Sequence, residues 1–454
     1  MLFNSYQFLL IFLPLSILVY ALADQSPRLR TWVLIALSLA FYGYWDVRFL
    51  PLMVFSILIN WSAAQLYAAT HRYGIIAATI AANLLLLGFF KYTNFLAQSF
   101  ATLLGWKFDS FALVLPLGIS FFTFHHIMYL VDLGRGTAPP YPLDRYALYI
   151  CFFPQAIAGP IARWSEVMDQ FGQRVFAPGW ERRCAIGAMF VVLGLVQKVF
   201  IGDPLGRAID PVFAKALVGP VTSAEAWITP AFALQIFFDF SGYSDIAIGL
   251  ALIFGIQLPR NFDAPYRATS IRDFWRRWHM TLSRFLRDYV YIPLGGSYFG
   301  IRQQIAALLA TMALCGLWHG AGWTFVIWGL LHGLALTANV LYRRYFPPLP
   351  AVIGWAATFT FVVLTFVMFR AGSLEAAGRI YEAMLGWPTE SLHRKDQILI
   401  ALLAALALPP THEICRRLTN RPRMITAVAA SAAVVGILLL IHSHANHEFI
   451  YFQF

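Results

Sequence analysis

A stretch of forty residues without Asp, Glu, Lys or Arg lies between Arg302 and Arg343. Written as one α-helix, it would be about 60 Å long, roughly twice the hydrocarbon thickness of a bilayer. The stretch must therefore fold as two spans, and the break is expected in 315–322, where three glycines supply backbone freedom. This pattern predicts a transmembrane hairpin over 303–342 with His319 at its turn, where we expect the ring to face a water-filled cavity.

The composition indicates many such spans. The chain has 454 residues, of which 59% are hydrophobic and 12% are charged. A soluble domain could not bury so much apolar surface, and the apolar runs are continuous, which excludes a strand-built barrel. The net charge of +11 comes from arginines grouped in loops, which indicates a lipid bilayer and the positive-inside rule, with no nucleic-acid partner. The four cysteines form no CxxC pair, so no metal site is predicted.

Thirteen apolar runs are candidate spans, and several are short or contain Pro and Gly. We predict an all-α polytopic membrane protein that forms a single domain over 1–454, with about eleven transmembrane helices. Interfacial and re-entrant helices are expected around a central tunnel, with 145–161 as the re-entrant candidate because prolines and glycines break that run. The runs lie near 8–23, 31–45, 49–68, 74–97, 111–131, 145–161, 184–202, 226–256, 303–318, 323–341, 351–369, 397–409 and 424–441.

The one long polar stretch, 257–302, holds eight arginines against three aspartates, which indicates a cytoplasmic face. On a helical wheel, 271–289 places apolar and aromatic residues on one face and arginines on the other. The sequence therefore predicts a single amphipathic helix over 271–290, with His279 at the boundary of its two faces. This helix could only anchor the chain to lipid, or it could also bind an anionic acyl donor. The donor-binding candidates are Arg272, Arg276, Arg277 and Trp278.

Three motifs follow one another in this region and a fourth lies in the hairpin. They are Asn261-Phe262-Asp263-Ala264-Pro265-Tyr266, Ser270-Ile271-Arg272-Asp273-Phe274-Trp275-Arg276-Arg277-Trp278-His279, Phe285-Leu286-Arg287-Asp288-Tyr289-Val290-Tyr291-Ile292-Pro293-Leu294-Gly295-Gly296, and Leu317-Trp318-His319-Gly320-Ala321. Together they resemble the signature blocks of the membrane-bound O-acyltransferases, and the subgroup they resemble most is the bacterial alginate O-acetyltransferase type. Further matches at Phe153-Pro154-Gln155, Asp239-Phe240-Ser241-Gly242-Tyr243-Ser244-Asp245 and Phe449-Ile450-Tyr451-Phe452-Gln453-Phe454 extend the likeness through nearly the whole chain.

The resemblance implies a multi-pass O-acetyltransferase of the cell inner membrane. Its donor would be a cytoplasmic thioester, acetyl-CoA or an acyl carrier, and no cofactor is expected. Its product would serve O-acetylation of an exopolysaccharide such as alginate, directly or through a periplasmic acetyltransferase partner. The family's invariant histidine matches His319 and its second histidine matches His279. The pair His125-His126 departs from the family pattern, and its role is left open.

Acyl transfer to a hydroxyl needs a base for the proton and stabilisation of an oxyanion. An imidazole with a pKa near 6.5 suits the first role, so His319 is the predicted general base. Asp239 or Asp245 could orient that ring, or the two could form a buried pair at a helix break near Ser241. Asn261 and Gln155 are candidate oxyanion donors.

Two other readings of the sequence stay open. A D-alanyl transferase or another acyl transferase of the same family would show the same motifs. A transporter would also carry intramembrane Asp and His on broken helices, but it would not need the arginine-aromatic segment. The chain contains no HExxH, GxSxG or Gly-rich phosphate loop, which argues against the common soluble hydrolases and ATPases.

Overall fold

The computed structural model describes residues 1–23, 26–172, 174, 176–420 and 432–439. Helices dominate these ranges and no strand occurs in them, which confirms the predicted all-α membrane fold. Seven of the described helices are long and apolar enough to cross a membrane, and the number rises to eight if the bent pair Lys395–Ala407 and Thr411–Leu418 is one span. The total of about eleven spans stays a prediction.

Most of the long helices coincide with predicted apolar runs, although the run at 111–131 is helical only from Ile119. The α-helices are Leu13–Leu22, Pro27–Trp45, Leu50–Thr70, Tyr73–Leu104, Ile119–Gly134, Leu143–Cys151, Phe153–Ala156, Trp164–Val167, Trp180–Val196, Asp203–Val218, Ser223–Ile228, Phe232–Ile253, Ile271–Arg277, Met280–Leu286, Ile301–His319, Trp323–Tyr345, Ala351–Arg370, Leu374–Met384, Lys395–Ala407 and Thr411–Asn420. Wider π-helical turns occur at Gln7–Phe12, Gln197–Gly202 and Arg287–Tyr291. Tighter 3₁₀ turns occur at Val47–Phe49, Met168–Gln170, Thr229–Ala231 and Pro265–Arg267.

The packing of the chain divides it into two compact units that alternate along the sequence. The first unit holds Met1–Leu193 and Tyr243–Pro259 together with part of the C-terminal region. The second unit holds Gly194–Gly242 and Arg260–Ile414. Since the chain alternates between them, neither unit is a contiguous segment, and the predicted single domain over 1–454 stays a prediction.

The chargeless stretch forms the predicted hairpin in the second unit. Helix Ile301–His319 ends at the histidine, and Trp323–Tyr345 begins three residues beyond the intervening Gly320. The two helices cross at backbone contact, since a Cβ atom added to Gly316 would lie 2.1 Å from the carbonyl oxygen of Phe325. The break in 315–322 is therefore confirmed, and glycine is needed at position 316 for the close packing of the two helices.

The re-entrant candidate 145–161 forms two short buried helices in the first unit, Leu143–Cys151 and Phe153–Ala156. The chain between them turns at Phe152, and Pro154 lies in the first turn of the second helix, where proline is tolerated. Whether this segment re-enters a bilayer stays a prediction. The terminal motif at 449–454 and the last predicted run, apart from 432–439, lie outside the described residues.

The prediction of one continuous amphipathic helix over 271–290 is wrong. Ile271–Arg277 and Met280–Leu286 are separate helices, because His279 adopts a left-handed backbone with φ 40° and ψ 54°. The first helix begins at Ser270, whose Oγ accepts a hydrogen bond from the Asp273 backbone N–H at 3.2 Å. The helical wheel missed the break because the residues on both sides keep the same apolar face.

Candidate functional site

His319 lies at the C-terminal end of the first hairpin helix and is only 4% exposed. Its ring packs edge to face against Trp328, with the centroids 5.3 Å apart, and against Phe369 at 5.2 Å. The neighbouring Trp318 ring is 4.8 Å away. The expectation that the ring faces a water-filled cavity does not agree with this burial. An imidazole in such surroundings exchanges a proton with a bound group more readily than with bulk water.

His279 is fully buried in the same unit and is joined to His319 by a shared aromatic neighbour. Its ring centroid is 6.2 Å from that of Trp318 and 4.7 Å from that of Phe240. Its Nδ1 atom lies 3.0 Å from Oδ1 of Asn261. Burial lowers the pKa of His279 to about 3, so the ring is neutral at physiological pH.

The two candidate oxyanion donors have different surroundings. In the second unit, Asn261 is 1% exposed and its Oδ1 accepts hydrogen bonds from the backbone N–H and the hydroxyl of Thr281. In the first unit, Nε2 of Gln155 donates a hydrogen bond to the carbonyl oxygen of Tyr149 at 2.7 Å. That bond uses one of the two side-chain N–H donors that an oxyanion could accept from. The oxyanion role of both residues stays a prediction.

Asp239 is paired with a lysine that the sequence analysis did not single out. Nζ of Lys198 lies 2.6 Å from Oδ1 of Asp239 and 2.8 Å from Oδ1 of Asp203, and all three side chains are nearly buried. Asp245 is half-buried and belongs to the first unit, and the alternative of a buried Asp239–Asp245 pair stays a prediction.

The helix break expected near Ser241 is wrong. Helix Phe232–Ile253 runs through that position without interruption. The glycine next to Ser241 serves close packing instead, because a Cβ atom added to Gly242 would lie 2.6 Å from the carbonyl oxygen of Gly194.

In two further buried histidines, His332 and His126, both ring nitrogens have hydrogen-bond partners, in contrast to His279. Nδ1 of His332 accepts from the Trp275 indole N–H at 3.2 Å, and its Nε2 lies 3.0 Å from Oγ1 of Thr365. In the first unit, His126 lies between Oγ of Ser56 at 2.9 Å and the Tyr146 hydroxyl at 2.6 Å. Both rings therefore tie helices together.

An arginine-lined cavity of about 550 Å³ lies beside the hairpin in the second unit. Ligand pockets are typically about 300–1,000 Å³, so a drug-sized or nucleotide-sized molecule fits it. Its walls combine charged and apolar side chains: Arg272, Trp275, Arg276, Met280, Ser283, Arg284, Leu286, Arg287, Tyr291, Ser297, Gln304, Leu308, Thr311, Met312, Leu336, Asn339 and Val340. A lining that contains both arginines and apolar side chains suits an anionic headgroup joined to a less polar arm.

Of the four predicted donor-binding residues, the structure places Arg272 and Arg276 on the cavity wall. Both are exposed, and within the part of the chain that the structure describes neither makes an ion pair. Arg277 instead pairs with Asp273 at 3.0 Å, and Trp278 is 2% exposed within an aromatic cluster. Neither of these two lines the cavity.

Arg284 and Arg287 line the cavity but were missing from the predicted site. The helical wheel did place them on the polar face, so a signal for them was present. The wheel could not show that this face meets the hairpin, because only tertiary packing brings the two segments together. For Lys198, a lysine in an otherwise apolar run was the signal.

These features define a class of protein: a multi-pass helical membrane protein with buried histidines and an arginine-lined cavity. The family model described as MBOAT, membrane-bound O-acyltransferase family, matches residues 66–377. The chain belongs to this family and is therefore an acyltransferase.

Curated relatives match most of the chain. A peptidoglycan O-acetyltransferase of Helicobacter pylori is 40% identical over 425 residues, which cover 85% of this chain and 80% of the relative. A probable alginate O-acetylase of Pseudomonas aeruginosa is 38% identical over 458 residues, covering 95% of this chain and 85% of the relative. A teichoic acid D-alanyltransferase of Streptococcus thermophilus is 27% identical over 280 residues, covering 56% of this chain and 68% of the relative.

The ion-paired cluster around Lys198 leads to a stability prediction. Replacing Lys198 with Met leaves Asp203 and Asp239 buried without their counter-charge, which should cost about 3–5 kcal/mol. Thermal unfolding of the purified protein in detergent measures the loss. Lys215→Met is the matched control, because its pair with Glu225 is 45% and 32% exposed, and exposed pairs contribute only about 0–1 kcal/mol. Equal losses in the two variants would contradict this account.

Proposed function

We propose that this acyltransferase takes an acetyl group from a cytoplasmic thioester, acetyl-CoA, and passes it across the inner membrane for O-acetylation of a polysaccharide. The observation that carries the proposal is the similarity over most of the chain to relatives whose names specify O-acetylation of peptidoglycan and alginate. The D-alanyltransferase relative is less similar and covers less of the chain, so acetyl is preferred to D-alanyl. A transporter is disfavoured by the family assignment.

In the proposed mechanism His319 is the general base. Its neutral ring takes the proton of the acceptor hydroxyl while the hydroxyl oxygen attacks the thioester carbonyl carbon. When the tetrahedral intermediate collapses, the C–S bond breaks and the thiolate leaves with the proton that the ring had taken. Protons balance over the cycle, so the ring needs no exchange with bulk water. This agrees with a side chain that is only 4% exposed.

The arginine-lined cavity is the proposed binding site of the donor. Arg272, Arg276, Arg284 and Arg287 would pair with the phosphates of coenzyme A or of a carrier's phosphopantetheine. Met280, which follows His279 in the chain, lies on the cavity wall, so a pantetheine arm in the cavity comes close to the buried histidine. The acceptor is the polysaccharide itself or an acetyl-carrying periplasmic partner that finishes the transfer to polysaccharide.

Replacing His319 with Ala should reduce acetyl transfer by at least roughly 10²-fold, since general-base help contributes about 10²- to 10⁴-fold. Transfer is measured with membranes that contain equal amounts of each variant. The matched control is His332→Gln, which changes a second buried histidine of the same hairpin but keeps a donor and an acceptor for its neighbours. If His319→Ala retained wild-type transfer, the assignment of the base would be wrong.

Replacing Arg276 with Gln should raise KM for acetyl-CoA by roughly 10- to 100-fold, because a charge-assisted hydrogen bond contributes about 1.5–3 kcal/mol. Initial rates against acetyl-CoA concentration give KM. Arg277→Gln is the matched control: it removes the same charge from the same helix, but the side chain pairs with Asp273 away from the cavity. An equal rise in KM for both variants would show that the whole polar face, and not the cavity, attracts the donor.

A further inference from the structure

The loop that carries His279 is closed by backbone hydrogen bonds on both sides of the histidine. The N–H of Asp263 donates to the carbonyl oxygen of Arg277 at 2.9 Å, and the N–H of Met280 donates to the carbonyl oxygen of Asn261 at 2.9 Å. Between these bonds His279 takes its left-handed conformation, which is uncommon for residues other than glycine. The fold therefore fixes where the imidazole points.

The hydrogen bonds of Asn261 determine which ring nitrogen of His279 carries the proton. One side-chain atom of Asn261 faces His279 and also lies within hydrogen-bond distance of the backbone N–H of Thr281, which can only donate. That atom is therefore the amide oxygen, and it also accepts from the Thr281 hydroxyl at 2.9 Å. Since an amide oxygen cannot donate, the His279 nitrogen 3.0 Å away must be protonated. The ring is thus the neutral Nδ1–H tautomer.

This tautomer leaves the lone pair of Nε2 free to accept a hydrogen bond. In the part of the chain that the structure describes, Nε2 of His279 is buried without a hydrogen-bond partner. The rings of Phe240, Phe262 and Trp318 pack around the imidazole and shield it from water that would compete for this hydrogen bond. A buried acceptor without a partner is uncommon in proteins and indicates a group that meets its partner only when a ligand binds.

We propose that Asn261 and Thr281 are positioning residues that hold His279 as the neutral Nδ1–H tautomer, so that Nε2 accepts a hydrogen bond from an N–H, S–H or O–H group of a bound substrate. The inference rests on the proposed function, because the substrate is taken to be the thioester donor or the acceptor of that reaction. It concerns the Oδ1 atom of Asn261, which acts through the histidine. The predicted role as an oxyanion donor concerns the NH2 group of the same side chain and stays a prediction.

The place of His279 agrees with such a contact. Met280 and Ser283 line the arginine-lined cavity, and both follow His279 closely in the chain. On the other side, Trp318 contacts both histidine rings. The His279 ring, with a substrate group bound at its Nε2, is therefore linked to the proposed base His319 through the ring of Trp318.

Two substitutions of His279 test the proposal because they separate its two nitrogens. In His279→Gln the side-chain amide reaches the position of Nε2 and supplies an acceptor oxygen there, while the bond to Asn261 is lost. In His279→Asn the amide reaches only the position of Nδ1 and keeps the bond to Asn261. We expect His279→Gln to retain more acetyl transfer than His279→Asn, which should lose roughly 10²-fold. A purely structural role of the ring predicts the opposite order.

A change of pH profile provides the second readout. Asn261→Asp keeps an acceptor for Nδ1–H but adds a negative charge that raises the pKa of His279. As pH falls, the ring then gains a proton on Nε2 and loses its acceptor, so transfer should fall at acidic pH more steeply than in the wild type. Thr281→Ser, which keeps the hydroxyl donor, is the control with an unchanged profile. Identical profiles for Asn261→Asp and wild type would overturn the positioning role.

Measuring His319→Ala beside these variants separates failure of this inference from failure of the proposed function. If His319→Ala retains transfer while His279→Gln remains more active than His279→Asn, the base assignment is wrong and the positioning role stands. If His319→Ala is inactive and His279→Asn outperforms His279→Gln, the positioning role is wrong and the base assignment stands. Thermal unfolding in detergent confirms that each compared variant is folded.

Discussion

The close crossing of two helices inside the chargeless hairpin is the constraint on which the proposed site depends. At Gly316 and Gly329 the backbones are so close that a Cβ atom would lie 2.1 Å and 2.2 Å from carbonyl oxygens of the opposite helix. Such contact leaves the helices no freedom to slide, and it fixes the turn that follows His319. The close backbone packing thus presents the imidazole against the rings of Trp328 and Phe369.

The segment before the hairpin has two faces with different chemistry. Its outer face presents arginines to the cavity, where anions are attracted over a distance. Its inner face carries Trp278 and His279, which are buried among aromatic rings. His279 has a left-handed backbone between the two short helices, and this turns its imidazole toward the inner face. The neighbouring arginines remain on the outer face.

The sequence was sufficient to predict features that depend on periodicity and on length. The all-helical membrane fold, the hairpin break in 315–322 and the polar face of 271–290 followed from apolar runs, glycines and a helical wheel. The break at His279 could not be predicted, because histidine is not a usual turn residue and the wheel continues through it. The partner of Asp239 could not be predicted either, because Lys198 lies forty-one positions earlier and only packing joins them. Which arginines reach the cavity likewise depends on tertiary contact.

In the proposed function, an acetyl group enters from the cytoplasmic side and His319 enables its delivery to the other side. Inside-out membrane vesicles supplied with radiolabelled acetyl-CoA test this proposal, because their lumen corresponds to the periplasm. We expect label to become bound to polysaccharide or an acceptor protein inside the vesicles with the wild-type chain, and not with His319→Ala. Equal lumenal labelling by both chains, or wild-type labelling confined to the outer surface of the vesicles, would contradict it.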